Sequence, residues 1–195
     1  MGFGPIPAIF AGMRAFLLPL VLGASGAAAL IPAAADQNEP ALDDLFAQLQ
    51  APEGDAAETE ARIEALWYRA PESGIAVLFE RAVDALNAED PNLAAVLASH
   101  INGLAPSYAE GWILTGHVRS ALGDGGGASR AYAEALRLEP RHYVALARLG
   151  DLAVEAGDKQ AGLERYREAL LINPHMDGVR ERADRLRKET RGQEI

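Results

Sequence analysis

Four histidines, His100, His117, His142 and His175, are the residues of this sequence best suited to proton transfer or metal ligation, and none has the neighbours either task requires. No two stand three or four positions apart, the spacing that sets two ligands on one helix face, and no cysteine is present to complete a zinc site. Ser107, Ser120 and Ser129 lie outside any Gly-x-Ser-x-Gly elbow and lack a histidine and carboxylate in a triad setting. The acidic pairs Asp43-Asp44 and Glu89-Asp90 fall at a helix start and in a turn, where free backbone N–H groups account for them. Gly123-Asp124-Gly125-Gly126-Gly127-Ala128 matches the Gly-x-Gly-x-x-Ala dinucleotide fingerprint in letters only. That fingerprint works between a strand and a helix, and here a helical pattern precedes it. No lysine followed by serine or threonine offers a phosphate loop. These residues predict a non-enzymatic protein with no catalytic group, metal or cofactor.

Charge narrows the partners. The 195 residues carry a formal net charge of −10, which repels phosphate backbones and anionic lipid, so nucleic acid is not an expected partner. The one arginine-rich stretch, 180–191, is interleaved with Glu181, Asp184 and Glu189 and reads as a solvated helix face. At the other end, Arg14 precedes the apolar run 15–23, then small residues, then Ala33-Ala34-Ala35 before Asp36. Positive start, apolar middle and A-x-A site are the order of a secretory signal peptide over residues 1–35. Pro19, Gly23 and Gly26 break the apolar run, which disfavours a stable spanning helix of about 20 residues. The expectation is a periplasmic or secreted protein with no membrane insertion after cleavage; an uncleaved N-terminal anchor is the alternative. Met13, directly before Arg14, is a second candidate start.

What must position any functional surface is a repeat. Between residues 75 and 174 the same residue types return every 34 positions: Pro106, Pro140 and Pro174; Asp90, Asp124 and Asp158; Ala82, Gly116 and Gly150; Ala94, Ala128 and Gly162; Ile101, Ala135 and Ala169. A period of this length means stacked supersecondary units. In the second unit Trp112, Thr115, Gly116, Arg119 and Leu122 share one helical face, Gly123-Asp124 interrupts, and Ala128, Tyr132, Ala135 and Leu138 resume the step until Pro140. Two helices of about a dozen residues joined by so short a turn must run antiparallel. Gly116 and Gly150 are expected to face Ala128 and Gly162 so that the two backbones approach. Tyr132 and Tyr166 are expected to fill the space between successive hairpins. A single hairpin cannot bury its apolar face, so stacking supplies the core.

This pattern resembles the tetratricopeptide repeat. The second unit matches through Trp112, Gly116, Ala128, Tyr132, Ala135 and Pro140, and the third through Leu146, Leu149, Gly150, Tyr166, Ala169 and Pro174. The first is weaker, with Leu78, Ala82, Ala94 and Pro106 but Ala98 where an aromatic is usual. Thr115 replaces the usual leucine and Arg119 the usual tyrosine. The resemblance implies an all-α fold, an α-solenoid of three antiparallel hairpins over residues 71–174. It also implies a concave groove lined by the first helix of each hairpin. Position by position, that groove comprises Phe79 and Val83, then Glu110, Ile113 and His117, then Val144, Ala147, Arg148 and Asp151. Relatives that clamp chaperone C-termini carry lysines and asparagines in this groove. Only Arg148 falls at a matching basic position, so such a clamp is not expected.

The flanks complete the architecture. Residues 175–195 place Met176, Val179, Ala183 and Leu186 on one face and read as a capping helix, the first helix of an incomplete fourth unit. Residues 36–70 contain two amphipathic helices around the turn-like Ala51-Pro52-Glu53-Gly54-Asp55 and read as an N-terminal cap. The pair is similar to the N-terminal part of small exported tetratricopeptide proteins of alphaproteobacteria, where a Leu-Phe-x-x-Leu helix, here Leu45-Phe46-Ala47-Gln48-Leu49, and a tryptophan-bearing helix, here with Trp67, precede the repeats. That likeness implies a periplasmic location and carries no activity. The expected function is a scaffold whose groove binds a peptide or helix of another envelope protein. The alternative is an accessory subunit docking through its N-terminal helices or convex face.

Overall fold

The computed structural model describes residues 40–51 and 55–192; the expected leader lies outside them. The described residues form helices and no strand: α1 (Pro40–Leu49), α2 (Ala56–Trp67), α3 (Ser73–Asn87), α4 (Pro91–Leu104), α5 (Ala109–Ala121), α6 (Gly125–Leu138), α7 (Tyr143–Glu155), α8 (Lys159–Ile172) and α9 (Asp177–Gly192). The chain is an all-α solenoid in which α3–α4, α5–α6 and α7–α8 are the three hairpins. None of the described helices is long and apolar enough to cross a membrane.

Each hairpin turn is built the same way. The first helix ends in a residue of positive φ, Glu89 at 59°, Gly123 at 76° and Gly157 at 89°. The next backbone N–H then closes on the helix it has just left, Asp90 on Ala85 O at 2.8 Å, Asp124 on Arg119 O at 2.8 Å and Asp158 on Ala153 O at 2.9 Å. The same three aspartates cap the second helix, their carboxylates accepting from the N–H groups of Leu93, Gly127 and Ala161. One aspartate thus ends one helix and starts the other, which is why it recurs with the period.

At both repeat glycines of the first helices the nearest neighbour is a tyrosine ring. A Cβ on Gly116 would lie 2.4 Å from Cε1 of Tyr132, and one on Gly150 would lie 2.6 Å from the Tyr166 ring. Each tyrosine folds back onto the glycine of its own hairpin. The ring is wide enough to fill the gap that the missing side chain leaves, and its hydroxyl reaches the first helix. In the third hairpin the backbones also approach directly, Gly162 O lying 3.2 Å from the Gly150 Cβ position.

Both departures in the second hairpin are local repairs. Thr115 Oγ1 accepts from Asn102 Nδ2 at 2.8 Å, joining α5 to α4. Arg119 pairs with the capping Asp124 at 3.0 Å across the glycine-rich turn.

At the C-terminal end α9 buries Val179, Ala183 and Leu186 against the third hairpin. Its arginines meet acids, Arg180 with Asp177, Arg187 with Asp184 and Arg182 with Asp151. The N-terminal pair is not stacked as a cap on the first hairpin. Val77 stands 34 and 68 positions before Gly111 and Ala145, which the preceding hairpin buries, yet Val77 is 51% exposed. Instead α1 and α2 share a core with α7, α8 and α9. Leu49 O accepts from His175 Nε2 at 3.0 Å, Gln50 Nε2 donates to Leu171 O, and Asp43 pairs with Arg141, whose guanidinium also covers the Phe46 ring.

Candidate interaction groove

The path of α2 decides how much of the expected groove is open. Its buried stripe, Thr59, Ile63 and Trp67, follows a four-residue step. From its start to its end, α2 and the residue after it pass the end of α8, the beginnings of α7 and α5, and the middle of α3 in turn. Glu60 accepts from Asn173 Nδ2 at 2.7 Å, Trp67 stacks on His142, and Tyr68 O accepts from the Tyr108 hydroxyl at 3.1 Å. The Tyr68 ring then meets Phe79 edge-on.

Beneath α2 lies a polar pair. His142 caps α7 by accepting at Nδ1 from Ala145 N–H, so its Nε2 is the nitrogen that faces Glu110 Oε1, 2.8 Å away. Both side chains are almost fully buried. Glu110 is therefore a structural tie between the second and third hairpins. Burial holds the Glu64 carboxyl above the usual carboxylate range; Glu60 and Glu110 add to this and His142 opposes it.

Of the nine expected groove residues, Phe79, Val83, Glu110, Ile113 and Ala147 are buried. Phe79 packs edge-on between Tyr68 and Tyr108, and Ile113 packs among Ala128, Tyr132, Ala135 and Ala145. Val144 is half-buried against the core that α1 and α2 share with the third hairpin. His117, Arg148 and Asp151 come together elsewhere, in an open cleft of about 860 Å³ along the later turns of α5 and α7. Apolar and aromatic surface from Leu86, Leu152, Val154, Tyr132 and Tyr166 lines it together with Arg182.

The cleft is laddered. Tyr132 OH lies 3.1 Å from His117 Nδ1, and Tyr166 OH donates to Asp151 Oδ1 at 2.7 Å, the same contact one repeat later. Asp151 in turn faces Arg148 at 3.3 Å and Arg182 at 3.1 Å. His117 has its pKa pushed down to about 3, by burial first and then by Arg148 and His142, so it is uncharged at neutral pH. One carboxylate between two guanidiniums leaves N–H donors facing the cleft, since each guanidinium carries five. Sequence reasoning missed Arg182, Tyr132 and Tyr166 as cleft residues. Their signal was the period itself, as Arg182 follows Arg148 by 34 positions and Tyr166 follows Tyr132 by the same interval.

With this geometry the fold is that of a tetratricopeptide-repeat solenoid, and solved structures share it. The Arabidopsis OM64 TPR domain aligns with a TM-score of 0.56 at 19% identity, covering 59% of this chain and 95% of that one. The Yersinia enterocolitica type III secretion chaperone SycD, in complex with a peptide of the translocator YopD, aligns with a TM-score of 0.54 at 12% identity, over 60% and 89%. The MamA protein aligns with a TM-score of 0.51 at 16% identity, over 78% and 85%. No protein-family model matches the chain, and no curated protein matches it.

Proposed function

We propose that this protein is a non-catalytic interaction scaffold that holds a peptide or helix of another protein in the cleft lined by His117, Arg148, Asp151 and Arg182. The observation that carries this reading is the cleft itself. Its 860 Å³ lies toward the top of the range of about 300–1,000 Å³ typical of ligand clefts, and tyrosines with a few charged groups on an apolar floor suit an amphipathic segment. The volume accepts a few side chains rather than a whole helix, so the partner inserts an anchor and lays the rest across the rim. SycD, of the same fold, was solved with a peptide bound. With the secretory pattern of residues 1–35, the reading extends to export and to a partner in the cell envelope.

A second reading has one observation behind it. Leu93, Val96 and Leu104 are exposed on α4, which suits an accessory subunit that docks by this outer helix. Two folded variants separate the readings. Ser120→Trp with Arg148→Glu fills the cleft and reverses its charge, whereas Leu93→Glu with Val96→Glu spoils the outer face. Loss of the co-purified partner with the first pair alone supports the cleft, and loss with the second pair alone refutes it.

A further inference from the structure

The open cleft has a charge axis, and α7 supplies most of it. Arg148, Leu152 and Glu155 stand four and then three residues apart, so they share one face of the helix, and all three line the cleft. At a rise of about 1.5 Å per residue, Arg148 and Glu155 are separated by about 10 Å along α7, with Leu152 between them. The two ends of this face are opposite in sign. At the first, Arg148 and Arg182 share the single carboxylate of Asp151, which leaves one positive charge over. At the second, Glu155 is the last residue of α7, where the free carbonyls of the helix end add to its negative charge. Glu89, in the turn of the first hairpin, lines the same cleft. Neither glutamate meets a base among the described residues: Lys159 pairs with Glu189 at 3.0 Å, and Arg119 pairs with Asp124 at 3.0 Å.

We propose that the partner of this cleft is an amphipathic helix that reads the axis with three side chains of one stripe, an acid, an apolar anchor and a base, the acid and the base set at the interval of Arg148 and Glu155. The acid meets the guanidiniums of Arg148 and Arg182, the anchor rests on Leu152, and the base meets Glu155 and Glu89. Two turns of a partner helix span the same length as two turns of α7, so an aligned partner satisfies both ends at once. Acid before base also suits the partner's own helix dipole, and that order makes the partner run parallel to α7. An all-acidic segment is repelled by the two glutamates and an all-basic one by the two arginines, so the axis rejects as well as binds. The inference rests on the cleft being the binding site and adds which segment the cleft takes.

The test uses the full chain and two synthetic helical peptides of about 18 residues with blocked ends, so that no terminal charge takes part. On an alanine and glutamine background, one carries glutamate, leucine and lysine in the stripe, and the other carries glutamate, leucine and glutamate. Charges on the far face make the two equal in net charge, so the −10 of the chain does not distinguish them. The chain should bind the first about fivefold or more tighter, the joint effect of an exposed ion pair gained and a like-charge contact avoided, and the difference should shrink in high salt. Glu155→Lys with Glu89→Gln should reverse the preference. Ser120→Trp, which fills the cleft, should weaken both peptides. Equal affinities, or a preference that survives the exchange of the glutamates, overturn the charge axis, while weakening by Ser120→Trp keeps the cleft reading intact. Binding that Ser120→Trp leaves unchanged refutes the cleft reading and the inference together, and no binding of either peptide overturns the inference.

Discussion

The indole of Trp67 lies stacked on the imidazole of His142, ring centroids 4.2 Å apart and planes 11° from parallel. One residue stands outside the repeats and the other opens the third hairpin, so this contact fastens the N-terminal pair along the solenoid. His142 is also held from below by Glu110 and from within by its capping bond to Ala145, so the imidazole is a fixed platform. The stack places α2 over the early turns of the groove and leaves the later turns as the open cleft.

Removing the indole tests this fastening. Trp67→Ala should release α2 at a cost of about 3–5 kcal/mol, the range for truncating a buried aromatic. The first two hairpins have cores apart from the one that α1 and α2 share with the third, so the loss should spare them. Amide exchange should accelerate across residues 56–67 while α5 and α6 remain protected. Equal acceleration throughout would show that α2 is part of one cooperative core.

Glu64 makes that docking depend on pH. Its raised pKa means that the neutral carboxyl favours the seated state. The stabilisation is complete below the ordinary carboxylate pKa and is lost as pH rises through the raised value. The protection factors of the α2 amides, corrected for the base-catalysed intrinsic rate, should therefore be higher in mildly acidic buffer than in mildly alkaline buffer, and Glu64→Gln should remove most of the difference. An unchanged pH response in the Gln variant would assign the effect to another group.

The two kinds of glycine separate by their surroundings. Gly116→Leu drives a side chain into the Tyr132 ring, which already lies 2.4 Å from the Cβ position. Overpacking of this kind costs about 1–3 kcal/mol. Gly103→Ala meets nothing within 4 Å inside α4 and should raise stability by about 0.5–1 kcal/mol. Urea denaturation of both variants checks the pair; a neutral Gly116→Leu would contradict the fold-back of Tyr132.

Glu89 is the one hairpin-turn residue of the three that is not glycine, at a φ of 59°. The left-handed conformation costs an ordinary residue about 1–2 kcal/mol, so Glu89→Gly should stabilise the first hairpin by up to that amount. Thermal melting reads this directly, and a lower melting temperature would contradict it.

The solenoid was legible because its causes are periodic. Asp90, Asp124 and Asp158 recur since each serves two helix ends, and Gly116 and Gly150 recur since each receives a tyrosine ring. The placement of α1 and α2 was not legible, because Trp67 meets His142, 75 positions away, and Leu49 meets His175, 126 positions away, and no period marks them. Half of the expected groove was misjudged for the same reason: the spacing puts Phe79 and Ala147 on the concave side but cannot say that other side chains bury them. His117, Arg148 and Asp151 line the open cleft because none of the described residues covers the later turns of α5 and α7.

The absence of cysteine makes the central claim directly measurable. A single cysteine at Ser120→Cys, in the cleft, and another at Ser99→Cys, exposed on α4, can each carry a short photo-cross-linker in the full chain. The cleft reading predicts that the partner captured in the native extract is cross-linked from position 120 and not from position 99, and that Arg148→Glu with Ser120 left in place reduces its capture. Cross-linking from position 99 alone would contradict it.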